Sequence, residues 1–232
     1  MAKNVASSGE PFFRYMGLLL TAIVLVGFVP PVLSKADGVF SLPLLYHVHG
    51  LVFVCWFVLF FMQASFVQRG HSQKHRLFGR LSIAIAIAML VSGYFMMRAA
   101  YALPEFSIGK NSHVASMMFP VTDLINFSIA YALALHHRAN GIAHKRLMLL
   151  AGILILDPAV ARLIQTIGAP FAFIPVLELG LFALLFGYDV SRLGRPHWAS
   201  WLGLVLFLVA MVAKLSIAQM PFWTDIAALL FA

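Results

Sequence analysis

The chain has 232 residues, of which 62% are hydrophobic and only 10% are Asp, Glu, Lys or Arg. A soluble domain carries roughly 25% charged and about 45–50% apolar residues, so this excess is too large to hide in one soluble core. That excludes an ordinary soluble globule, and the net charge of +8 is read as membrane topology rather than as a nucleic-acid-binding surface. The single Cys55 excludes a disulfide scaffold and a Cys-based zinc or iron–sulfur centre.

A bilayer-crossing helix needs ~20 mostly apolar residues. The stretches Phe13–Leu33, Pro43–Val67, Leu77–Tyr101, His113–His136, His144–Gly168, Phe171–Val190 and Trp198–Ala218 meet this. They predict an all-α, polytopic bundle of seven transmembrane helices. It forms a single domain over 1–232 with a functional four-helix part at about 43–168. The first stretch reads as an uncleaved helix, because Pro30-Pro31 sits where a signal-peptide cleavage region needs extended chain. Met220–Ala232 is apolar but short, with Pro221 near its start, and reads as an interfacial helix.

Charge sets the orientation. Lys3, Arg14, Arg69, Lys74, Arg76, Arg80, Arg138, Lys145, Arg146, Arg192 and Arg195 fall on one side, and Lys35, Arg98, Lys110 and Lys214 on the other. The bias places the N-terminus in the cytoplasm and the C-terminus in the periplasm of a bacterial inner membrane. A weak repeat accompanies it. Arg69, five residues and then His75-Arg76 are matched by Arg138, five residues and then His144-Lys145, each between two apolar stretches. The second–third and fourth–fifth helices therefore read as parallel repeats.

With this topology, His47, His49 and His113 lie at the outer side, and His71, His75, His136, His137, His144 and His197 at the inner side. Haem iron is held by axial ligands, commonly from facing helices. His75 and His144 match in depth at the inner face, and His49 and His113 at the outer face. Two haems b so placed would carry electrons across the membrane. Arg76 and Lys145 inside, with Arg98 and Lys110 outside, would neutralise the propionates. Aligned without a gap, the repeat instead sets His49 opposite Met118, a His–Met pairing that raises a haem's potential.

Other chemistries fit subsets of these residues. His47, His49, Met96, Met97, His113, Met117 and Met118 make an alternative outer copper site, because imidazole and thioether suit Cu(I). The plain counterpart is that Met fills irregular gaps in cores. His71, His75, His136 and His137 faintly suggest the His boxes of a di-metal membrane oxygenase, but a His-x2-His-His box is missing. A cofactor-free structural subunit is a further alternative.

Ionisable groups at membrane depth are functional candidates by default. Asp123, Asp157 and Glu178 are assigned to proton handling, with Arg162 as the expected partner of Glu178 or Asp157. Lys214 is expected to snorkel to the outer interface. Gln63 is placed to hydrogen-bond between helices.

Gln63-x5-Arg69-x5-His75-Arg76-x2-Gly79-Arg80 resembles the signature of a widespread family of bacterial multi-pass membrane proteins of unassigned function. His144-Lys145-Arg146-Leu147-Met148 resembles a later His-x3-Met element of that family. The same element also resembles the small membrane protein needed for haem–copper oxidase assembly. The distribution of His over the helices is similar to the di-haem transmembrane cytochromes b that reduce ascorbate radicals or ferric iron. These resemblances imply transmembrane electron transfer, or haem handling during oxidase assembly, with a quinone or respiratory-chain partner. A homo-oligomer is compatible with either.

Overall fold

The computed structural model describes residues 10–33 and 42–232; Lys3 and Lys35, used above for orientation, lie outside them. The described residues form helices only. They are α1 (Pro11–Leu33), α2 (Leu44–Gln68), α3 (Ser72–Tyr101), α4 (His113–Ser116), α5 (Met118–His136), α6 (Gly141–Ile153), α7 (Asp157–Thr166), α8 (Phe173–Leu193), α9 (Trp198–Leu215) and α10 (Pro221–Phe231), with a 3₁₀ turn at Ile217–Gln219. Six helices are long and apolar enough to cross a membrane, or up to seven if a bent pair counts as one span.

That bent pair is α6 and α7, inclined by 47°. The cause is local. Pro158 has no N–H to continue the α6 ladder. The chain therefore tightens, Leu156 N–H donating to the Ile153 carbonyl, and α7 restarts at Asp157. An acidic first residue suits the positive end of a helix. The expected single helix His144–Gly168 is thus two pieces. At the inner end α3 begins at Ser72, five residues before the apolar stretch, which puts His75 on a helix rather than in a loop.

The core gathers around α6, where Leu147, Leu149, Leu150 and Ile153 are all buried. It packs against α1, α5 and α9. Small residues permit close approach, as in membrane helix packing. A Cβ on Gly27 of α1 would stand 2.4 Å from the Ala159 carbonyl oxygen of α7, and one on Gly203 of α9 would stand 2.2 Å from a Leu150 methyl. The outer faces are apolar instead of polar: α3 exposes Leu77, Leu81, Ile83, Ile87, Val91 and Phe95. Apolar area on this scale marks a surface that does not face water.

The most deeply buried ion pair among the described residues lies in the core. Arg146 of α6 and Asp189 of α8 are 1% and 0% exposed. Arg146 reaches Asp189 Oδ1 through Nε at 2.7 Å and through its terminal nitrogen at 2.6 Å. Asp189 Oδ2 accepts from the His197 N–H (2.9 Å) and from the Ser200 hydroxyl (2.6 Å). This one carboxylate therefore ties α6, α8 and the start of α9 together. His197 also caps α9, its Nδ1 accepting from the Ala199 N–H. Burial, then the nearby Arg146, holds its pKa below the ordinary histidine value.

Two stability outcomes are expected. Removing one partner of a buried pair costs about 3–5 kcal/mol, so Asp189→Ala should lower the thermal midpoint sharply, with Arg146→Met added to it restoring much of the loss. Gly27→Ala presses on backbone that cannot turn aside and should cost about 1–3 kcal/mol. Gly180→Ala, with open space around it, should be near neutral. Thermal unfolding of the purified protein checks each, and a Gly27→Ala midpoint equal to that of Gly180→Ala would contradict the α1–α7 contact.

Candidate functional site

At the N-terminal ends of α3 and α6 two imidazoles meet. Asn140 caps α6 by accepting from the Ile142 and Ala143 N–H groups, which sets His144 on the first turn. His75 occupies the first turn of α3. The two ring centroids lie 6.3 Å apart with planes at 83°. His144 Nδ1 donates to the Ala134 carbonyl at 2.8 Å. This bond fixes the tautomer that leaves Nε2 as the free lone pair, the way a metal-ligating His is normally held. His75 Nδ1 is buried without a hydrogen-bond partner.

Behind the pair the polar groups are also unpaired. Gln63 of α2 is buried with neither its amide oxygen nor its nitrogen satisfied, and Trp56 Nε1 is likewise alone. They are seven residues apart on one helix and so share a face. Trp56, Leu59, Phe60, Gln63, Ser82 and Met148 line one cavity, with about 10 Å³ for the centre of a water-sized sphere. That is room for about one water-sized group. The polar wall is built from α3 and α5: the Ser82 hydroxyl donates to the Gly79 carbonyl at 2.6 Å and lies 2.8 Å from the Tyr131 hydroxyl. Trp56 is wedged edge-on against Phe127 and Tyr131. Buried polar atoms are nearly always paired in folded proteins, so this concentration of unpaired ones marks a prepared site.

Gln63, His75, His144 and Met148, far apart in the chain, were all singled out by their motifs and now fall in one region. Arg69, Arg76 and Arg80 of the same signature lie on the surface. Trp56, Ser82 and Tyr131 were not anticipated, since no spacing separates them from other residues of an apolar span.

The residues assigned to the outer side have other partners. His113 Nε2 lies 2.9 Å from the Tyr101 carbonyl and its Nδ1 3.3 Å from the Phe106 carbonyl. The ring sits between these two carbonyls and staples the loop after α3, one nitrogen donating. His49 Nδ1 lies 3.3 Å from the Ser92 hydroxyl, with Phe53 against its ring. Their contacts on α3, Ser92 and Tyr101, are nine residues apart, roughly 13 Å along the axis. The structure therefore does not bring His49 and His113 together. Of the residues of the alternative copper site, the structure gathers three. Met97, Met117 and Met118 are buried in an apolar cluster with Ala218, Trp223, Ala227 and Phe231, where α10 packs. Met96 and His47 are only half-buried and stand outside that cluster. Among the described residues no group of three His, Cys, Asp or Glu is placed to hold a metal ion.

The basic partners are redistributed too. Arg98 donates to the Phe231 and Ala232 carbonyls, Lys145 pairs with Glu10 over the Phe13 ring, and Arg76 and Lys110 are exposed. Towards the outer half, Lys214 does not snorkel. Its ammonium bonds Asp123 Oδ1 at 2.7 Å and Asp157 Oδ2 at 2.5 Å. The expected role of Arg162 as their partner is replaced: its guanidinium lies 4.8 Å over the Phe28 ring.

Comparison with known protein families, with curated proteins and with solved structures gives no match to this chain.

Gln63 separates function from stability. Its two unpaired amide atoms cost about 1–3 kcal/mol where they are truly alone, so Gln63→Met should hold or raise the thermal midpoint while removing whatever the site binds. A fall as large as a core truncation would show instead that the amide is satisfied in the working protein.

Proposed function

We propose that this chain is a b-type cytochrome-like protein of the bacterial inner membrane, with a haem held near the inner face by His75 and His144. The observation that carries this reading is the pair itself, two imidazoles from different helices with centroids 6.3 Å apart. Imidazole is a ligand that haem iron accepts, so this pair is where the chain could hold one. His144 supports the reading through its Nδ1 bond to Ala134, and His75 through its partnerless Nδ1. When bound, the haem supplies one-electron chemistry. His75 and His144 would hold the iron, the exposed Arg76 would face a propionate, and Trp56, Phe127 and Tyr131 would keep water from the inner wall. Because the outer pair is not assembled, a single inner haem is favoured over a di-haem chain. That suits electron transfer at one leaflet, or haem handling in oxidase assembly, more than a complete transmembrane wire.

A bare transition-metal ion at the same imidazoles is the second reading. It is favoured by the small cavity and by Met148 in its wall, one turn after His144, since imidazole with thioether suits Cu(I).

Purification from haem-sufficient cells tests both. The expected result is a red protein with a sharp reduced b-type band. His75→Ala and His144→Ala should each abolish the band, and His49→Ala and His113→Ala should leave it. A colourless preparation carrying stoichiometric copper that is lost in Met148→Ala would establish the second reading. A colourless, metal-free preparation would overturn both.

A further inference from the structure

We propose that Asp123, Asp157, Glu178 and Lys214 form a proton-binding site within the helical core, separate from the imidazole pair and independent of any haem there. Four elements supply it: α5 carries Asp123, the start of α7 carries Asp157, α8 carries Glu178 and α9 carries Lys214. Among the described residues Lys214 is the base at the centre, bonded to both aspartates. Its ammonium also lies 5.3 Å over the Phe119 ring. Glu178 is 5% exposed and within electrostatic range of Asp157, Lys214 and Asp123. Among the described residues no group hydrogen-bonds or ion-pairs with it. Asp123, 4% exposed, keeps a second oxygen, Oδ2, without any partner.

The count of charges decides the chemistry. Three carboxyl groups face one ammonium, so with all acids ionised the cluster carries excess negative charge in an apolar core. Uncompensated charge in such surroundings is severely disfavoured. Among the described residues, Arg162 of α7 lies over the Phe28 ring of α1, and Arg146 of α6 is bound by Asp189. A proton from water, joining a carboxylate to give the neutral acid, is the neutraliser the geometry leaves room for, with the baseless Glu178 as its carrier. The site sits where the helix is broken: Asp157 opens α7 just after the 47° bend. In membrane transporters, ion sites are typically built at such discontinuous helices. A proton on or off Glu178 would change the pull on Lys214, and through Asp157 on the α6–α7 hinge.

Infrared spectroscopy of the full chain in lipid nanodiscs tests this. A neutral-carboxyl stretch that shifts in D₂O is expected in the wild type. It should be lost in Glu178→Gln and displaced in Asp123→Asn. Carbodiimide labelling of the unaltered chain covers the event that a variant fails to fold, and an adduct on Glu178 is expected by peptide mass spectrometry. Wild-type spectra identical to those of Glu178→Gln, or labelling confined to exposed acids such as Asp225, would overturn the proposal. Loss of the band on adding Na⁺ at constant pH would overturn it in favour of a sodium site.

Discussion

Charge inside an apolar bundle must find its counter-charge within the bundle. A lone charged side chain at the centre of a bilayer costs at least ~2.5–3.5 kcal/mol on insertion scales, and no water is there to soften it. This chain has few charges to place, and two ion-paired nodes absorb those that fall inside. Arg146–Asp189 joins α6, α8 and α9. Lys214 joins α5, α7 and α9. Because α9 takes part in both, its position relative to the other helices is specified by electrostatics as well as by packing.

The two nodes differ in completeness, and that difference separates structure from chemistry. At Asp189 both carboxylate oxygens are fully engaged, and one base meets one acid. Nothing remains to bind or exchange, so the node is a clamp. At Lys214 one base meets an excess of acids, with an aspartate oxygen and a glutamate left over. The same contrast separates the histidines. His113 has its ring held between two carbonyls and works as a staple. His75 keeps a partnerless Nδ1, and His144 spends only Nδ1 on a carbonyl.

The backbone makes these sites possible. Pro158 breaks the ladder of α6 and delivers Asp157 to a helix start instead of a helix middle. Gly27 and Gly203 let α1 and α9 close onto the broken pair, so the break is sealed by protein rather than exposed. The price of that close packing is that the interior has little slack, and the cavity beside Gln63 is small.

The all-helical class and the approximate spans were legible from composition and apolar run length, because these depend only on local chemistry along the chain. Which residues meet was not. Lys214 looked like a snorkelling interfacial lysine because its distance from the end of an apolar run says nothing about the aspartates on two other helices. Arg146 looked like one more basic loop residue because its partner is forty-three positions away. His49 and His113 matched in depth, yet depth along the membrane normal leaves the lateral position and the hydrogen-bond partners open. The sequence by itself determined what must be buried and what must be neutralised. Only the tertiary structure decided by whom, because pairing is set by the three-dimensional packing of helices.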